Sequence, residues 1–132
     1  IVCPWNSYAV KTDEPGFKAM NSNFLLIDLI QLSDEGFRKR FKGSPIKRIK
    51  RRGLLRNVAI ALGNSKNPKA VPFLIRALND KEPLIRAHIV WALGELLLSE
   101  SVPLLNEKLA EEEDPMVLGE IEAVRERFLG VS

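Results

Sequence analysis

Ala61-Leu62-Gly63-Asn64-Ser65-Lys66-Asn67-Pro68-Lys69-Ala70-Val71-Pro72-Phe73-Leu74-Ile75-Arg76-Ala77-Leu78 has an echo 31 residues further on. Ala92-Leu93-Gly94 answers Ala61-Leu62-Gly63, Val102-Pro103 answers Val71-Pro72, and Leu105 and Leu109 answer Leu74 and Leu78. A fixed period of this size marks an α-solenoid, in which each unit is a helical hairpin that buries its apolar face on its neighbours. Helix starts are written as a capping or polar residue followed by proline, whose missing N–H has no partner in a first turn anyway: Ser44-Pro45, Asn67-Pro68, Glu82-Pro83 and Asp114-Pro115. The pattern predicts helices over 45–63, 68–79, 82–98, 101–111 and 115–129. In the first of these Leu54, Leu55, Val58, Ala59 and Leu62 form the buried stripe. Gly63-Asn64 reads as a C-terminal cap of that helix. Gly53 falls inside it, at a cost of roughly 1 kcal/mol against alanine.

Upstream of the repeat, residues 1–22 show no helical period and are punctuated by Pro4, Pro15 and Gly16, so an irregular arm is expected. A short apolar helix follows over 23–32. Ser33 then caps a second one, with Asp34 and Glu35 in the first turn, where the helix dipole favours acids. Phe37 and Phe41, four residues apart, share one face of it, and Lys42-Gly43 closes it. The expected fold is all-α: a HEAT-like helical repeat (α-solenoid) of about two and a half hairpins over 23–132, preceded by the irregular arm 1–22 and the short helices. The units resemble HEAT repeats in their Leu-x-x-Ala-x-x-Ala-Leu-Gly and Val-Pro-x-Leu segments. Segments 23–41 and 115–129 cap the array. Arg56 and Arg86, early in successive units, are expected to line one layer in a row.

The 132 residues carry a net charge of only +3, but its distribution is uneven. Residues 36–79 hold 13 of the 20 lysines and arginines and no Asp or Glu, whereas 80–132 hold five bases and twelve acids. Surfaces ordinarily mix signs, so an acid-free stretch of this length points to a polyanion, with a solvated helix face or an acidic protein as the plainer explanations. A single cysteine, Cys3, rules out an internal disulfide and makes the cytoplasm the expected compartment. The densest apolar stretch, 24–32, is interrupted by Asp28 and Gln31, well short of the ~18 residues that span a bilayer. No membrane partner and no signal peptide are expected. No nucleophile elbow, phosphate-cradling glycine loop or His-Glu-x-x-His is legible. His88, the one histidine, falls among Ile85, Ile89 and Ala92 and reads as a packed residue without metal partners. The chain begins on Ile1, with Cys3-Pro4-Trp5-Asn6 at its edge, and is expected to be the C-terminal piece of a longer protein.

Three segments together resemble the epoxyqueuosine reductase family. They are Cys-Pro-Trp-Asn at 3–6, Leu-Ser-Asp-Glu-Gly-Phe-Arg-Lys-Arg-Phe-Lys-Gly at 32–43, and Ser-Pro-Ile-Lys-Arg-Ile-Lys-Arg-Arg-Gly-Leu-Leu-Arg-Asn-Val-Ala-Ile-Ala-Leu-Gly-Asn at 44–64. The resemblance implies a cobalamin-dependent iron–sulfur enzyme that reduces the epoxide of epoxyqueuosine in tRNA to give queuosine. Cobalamin and the 4Fe-4S clusters would belong to the upstream part of the parent, with no cofactor and no catalytic residue in this stretch. Cys3 would match the family's last cluster ligand, a metal ligand in the full-length parent only. The helical repeats would grip tRNA near the anticodon, with Lys47, Arg48, Lys50, Arg51, Arg52 and Arg56 as matched contacts. Arg38, Lys39, Arg40 and Lys42 extend the same strip, while Lys66, Lys69 and Arg76 read as ordinary exposed positions. The expected partners are thus tRNA and the upstream domain of the same chain, and the expected state is a monomer. Two alternatives stand beside this: a protein-interaction scaffold using the acidic half, and a repeat-fold enzyme acting on nucleic acid with Trp91 as a stacking platform.

Overall fold

The computed structural model describes residues 23–129, which form seven α-helices and three short 3-10 turns and contain no strand. The helices are α1 (Asn23–Ile30), α2 (Asp34–Arg40), α3 (Lys50–Ser65), α4 (Val71–Ala77), α5 (Pro83–Leu97), α6 (Ser101–Glu111) and α7 (Pro115–Leu129). The 3-10 turns, Pro45–Ile49, Pro68–Ala70 and Leu98–Glu100, lead into α3, α4 and α6. One layer is the succession α1, α3, α5, α7, with α3 on α5 and α5 on α7 the most extensive packings. The second layer holds α4, packed on α5, and α6, packed on α7. This is the helical-repeat solenoid that the 31-residue period predicts. The arm 1–22, with Cys3, lies outside the described residues.

The sequence signals at the helix starts act as expected. Ser33 Oγ accepts from the Gly36 N–H at 3.0 Å, and Phe37 and Phe41 are both buried with ring centroids 5.2 Å apart. Asp114 Oδ1 accepts from the Met116 N–H at 2.9 Å. Glu82, at the N-cap of α5, makes no side-chain capping bond, and Asp80 Oδ1 accepts from its N–H at 2.9 Å in the turn before the helix. Helices α6 and α7 have the predicted limits.

The first unit differs from the sequence reading in detail: the helix expected over 68–79 opens as the 3-10 turn Pro68–Ala70 and ends at Ala77. The helix expected over 45–63 is two pieces. Ser44 caps a 3-10 turn by accepting from the Ile46 N–H at 3.2 Å, and α3 starts afresh at Lys50. Lys50 has φ 63° and ψ 162°, a conformation that non-glycine residues avoid at a cost of order 1–3 kcal/mol. Gly53 therefore lies in the first turn of α3 instead of interrupting a longer helix. Gly63, read as a cap, is inside α3, which runs to Ser65 and closes on Lys66 in the left-handed conformation (φ 59°).

The true use of Gly63 is close approach. A Cβ there would lie 2.6 Å from Trp91 Cζ3 and 3.1 Å from Ala92 Cα, so α3 and α5 meet at this position backbone to side chain. Gly94, one period on, receives Val124 of α7, whose Cγ1 would be 3.1 Å from an added Cβ. The repeated glycine is the notch into which the next helix of the layer fits.

A single apolar core runs the length of the described chain, from Leu26, Leu29 and Ile30 of α1 through Leu54, Leu62, Ile85, Ile89 and Leu93 to Ile121 and Val124 of α7. The segment 83–111 contains an 18-residue window of mean hydropathy 1.3, long and apolar enough by that measure to cross a membrane. The expectation of no such stretch is thereby corrected. The segment is α5, a turn broken at Leu98 (φ 55°) and α6, and its Ile85, Ile89, Leu93 and Leu105 are fully buried in this core.

Candidate nucleic-acid interface

The basic block folds onto four consecutive pieces: α2, the loop to Ser44, the 3-10 turn Pro45–Ile49 and the start of α3. Arg38, Lys39 and Arg40 sit in the last turn of α2, where cations complement the dipole. Lys50, Arg51 and Arg52 sit at the opposite kind of end, the start of α3, whose capping residue Ile49 offers no side-chain acceptor. Cations at a helix start are unfavourable for the helix alone, and beside the positive end of its dipole they create a strongly positive spot.

The cations divide by what they touch. Lys42, Lys47, Arg48 and Lys50 are exposed and have no ion pair among the described residues. Arg38 is also exposed, and its charge helps to lower the Asp34 pKa. Lys39 has a loose contact with Glu35 at 3.8 Å, and Arg52 reaches Glu82 only at 4.0 Å. Arg40 is bonded to Asp28 at 2.6 Å. Arg56 donates to Asn57 Oδ1 at 3.2 Å. Asn57 is itself buried.

Arg51 is different in kind. Its side chain is only 11% exposed, its guanidinium pairs with both oxygens of Asp80, and its Nε donates to the Leu32 carbonyl at 2.8 Å. It ties the segment after α1, the start of α3 and the loop before α5 together and has little surface left for a ligand. The signal was in the sequence: Arg51, Leu55, Val58 and Leu62 are spaced as one helix face, so Arg51 continues the buried stripe. Arg86 likewise does not stand in an open row with Arg56. It is bidentate to Glu112 at 2.9 and 3.0 Å and also bonds the Asp80 carbonyl at 2.7 Å.

These internal pairs set the local electrostatics. Burial is the largest single influence on Glu112 and raises its pKa, but the Arg86 bond and the N–H groups of Asp114 and Glu113 together outweigh it and hold the carboxyl below its ordinary value. Lys66 at 2.8 Å and Arg127 at 2.5 Å hold Glu95 low in the same way, and Lys81 does so for Asp34. Lys66, read as an ordinary exposed position, is thus half of a bridge between units. His88 bonds the Leu84 carbonyl at 2.8 Å, as a packed helix residue does. Cys3 lies outside the described residues. Among the described ones no group of three His, Cys, Asp or Glu is placed to hold a metal ion.

Stacked hairpins with a notch glycine once per period are the features of a helical-repeat protein, and the family comparison agrees. The family model of HEAT repeats matches residues 51–125, and the chain belongs to that family. More specific likenesses are to epoxyqueuosine reductases. That of Xanthomonas campestris pv. campestris is 37% identical over 98 residues, covering 72% of this chain and 28% of the relative. That of Salmonella typhimurium is 40% identical over 98 residues, covering 72% and 25%, and that of Escherichia coli 35% identical over 97, covering 72% and 26%. The chain thus spans about a quarter of the length of these curated relatives. No solved structure matches.

Proposed function

We propose that this chain is the helical-repeat part of an epoxyqueuosine reductase and that its basic edge binds tRNA near the anticodon, so that a separate domain of the parent can reduce epoxyqueuosine to queuosine. One observation carries the binding reading: Arg38, Lys42, Lys47, Arg48 and Lys50 stand exposed on consecutive elements with no carboxylate bonded to them, within a block that has no acid at all. The likeness to epoxyqueuosine reductases supports tRNA as the polyanion. Phosphate contacts of this sort fix register and orientation, and recognition of the modified base belongs elsewhere. The described residues offer no seat for an iron–sulfur cluster. By the likeness to epoxyqueuosine reductases, the chemistry belongs to the rest of the parent.

The test is binding of an anticodon stem-loop hairpin, read by fluorescence anisotropy at several salt concentrations. With about five phosphates neutralised, log K falls against log salt with a slope between −3.5 for single strands and −4.5 for duplex. Lys47→Glu combined with Lys50→Glu lowers both the affinity and the slope. Binding indifferent to these changes would refute the reading. A chain that ignores tRNA and captures a basic protein through 80–132 would establish the scaffold alternative.

A further inference from the structure

Beside the basic edge lies a cavity of about 340 Å³ lined by Ile30 to Ser33 at the end of α1, by Phe73, Arg76 and Ala77 of α4, and by Arg51, Asn79 and Asp80. Its floor is the closed Arg51 and Asp80 pair. Its wall is a planar stack: the Arg76 guanidinium lies over the Phe73 ring, 4.8 Å from the centroid. Arg76 is exposed and bonded to no carboxylate among the described residues. At the rim, the Asn79 side-chain amide is exposed and makes no hydrogen bond among the described residues, which leaves one donor pair and one acceptor unused. Gln31 spends one amide hydrogen on the Ile27 carbonyl at 3.0 Å and keeps its side-chain oxygen.

We propose that this cavity takes one unstacked nucleobase of a single-stranded RNA whose phosphates run along the basic edge. Three properties of the cavity match that occupant. A stacked guanidinium and aromatic ring present a flat, cationic, partly apolar surface, on which extruded bases stack. A free amide at the rim matches the paired donor and acceptor of a base edge. Arg51, in the floor, is flanked in the chain by the exposed Lys50 and Arg52, which sets the cavity at the start of α3, beside the basic edge. A duplex keeps its bases stacked inside and cannot use the cavity. The inference rests on the nucleic-acid reading above and adds to it a preference for unpaired RNA.

The 132-residue chain is titrated by anisotropy with a single-stranded RNA hexamer and with a blunt RNA duplex of equal phosphate number. Phe73→Leu and Asn79→Ala are used because neither changes charge, and circular dichroism melting confirms that they fold. Both variants are expected to lose about tenfold in hexamer affinity, with the salt slope and duplex affinity unchanged. If both folded variants bind the hexamer as wild type does, the cavity has no such role, while the phosphate-binding reading stands on the wild-type salt slope. If the wild type binds neither RNA, both readings fall together.

Discussion

Arg51 shows how one residue divides a charge run into surface and structure. Both it and Asp80 are about nine-tenths buried, so truncating either strands the other's charge away from water. Arg51→Ala is expected to cost roughly 3 kcal/mol, read as a lowered urea midpoint. A charge reversal there would abolish RNA binding by unfolding the chain, which is why the binding variants above leave it intact. Lys50 makes the opposite case. Glycine relieves its backbone strain, so Lys50→Gly is expected to stabilise the chain by about 1 kcal/mol. The same change removes one phosphate contact and flattens the salt slope by 0.7 to roughly 0.9. A gain in stability together with a loss in binding distinguishes this residue from a structural one. The burial of Arg51 was legible in its spacing, but neither its partner nor the strain at Lys50 was. The partner of Arg51 lies 29 residues away, and nothing in Ile49-Lys50-Arg51 announces a positive φ.

At the scale of elements, helix existence was legible nearly throughout and the purpose of the glycines was not. The period located α5, α6 and α7 closely, with Pro83 and Pro115 opening α5 and α7. Gly63 was misread because glycine followed by asparagine signals a cap just as well, and only the neighbour across the interface decides. Gly63 and Gly53 accordingly differ in their response to alanine. Gly63→Ala forces the Trp91 ring and the α5 backbone away and is expected to destabilise by roughly 2 kcal/mol, overpacking outweighing the helix-propensity gain. Gly53 has only Ile49 Cβ nearby, at an ordinary 3.6 Å, so Gly53→Ala is expected to stabilise by up to about 1 kcal/mol. Thermal melts of the two variants give the opposite signs directly.

Over the whole molecule, charge is both partitioned and internally coupled. The basic 36–79 and acidic 80–132 segments give the chain a directional field, which orients an approaching polyanion before contact. Between 50 and 200 mM salt a slope of −3.5 amounts to about a hundredfold in affinity. Stability follows pH through Glu95 and Glu112, whose folded pKa values lie below the ordinary 4.5. Carboxyls depressed in this way stabilise the fold above 4.5, and the contribution disappears as pH falls through their folded values. The melting temperature is therefore expected to hold steady from neutrality to about pH 5 and to drop below it, with Glu95→Gln lowering the plateau and flattening that drop. The site was half legible at this scale. The acid-free block located the edge, but the Arg76 and Phe73 stack belongs to a cavity assembled from three separate stretches of chain.

The joint at Lys50 also makes the basic edge a natural target for trypsin. Arg48, Lys50 and Arg52 are exposed about the kink at Lys50 (φ 63°), the first residue of α3, where a 3-10 turn gives way to the helix, and a kinked backbone enters a protease cleft more readily than a closed helix does. Among the described residues, the earliest cut should fall there. An RNA lying across the edge would cover the same bonds, so the rate of nicking at this joint reports occupancy without any label on either molecule.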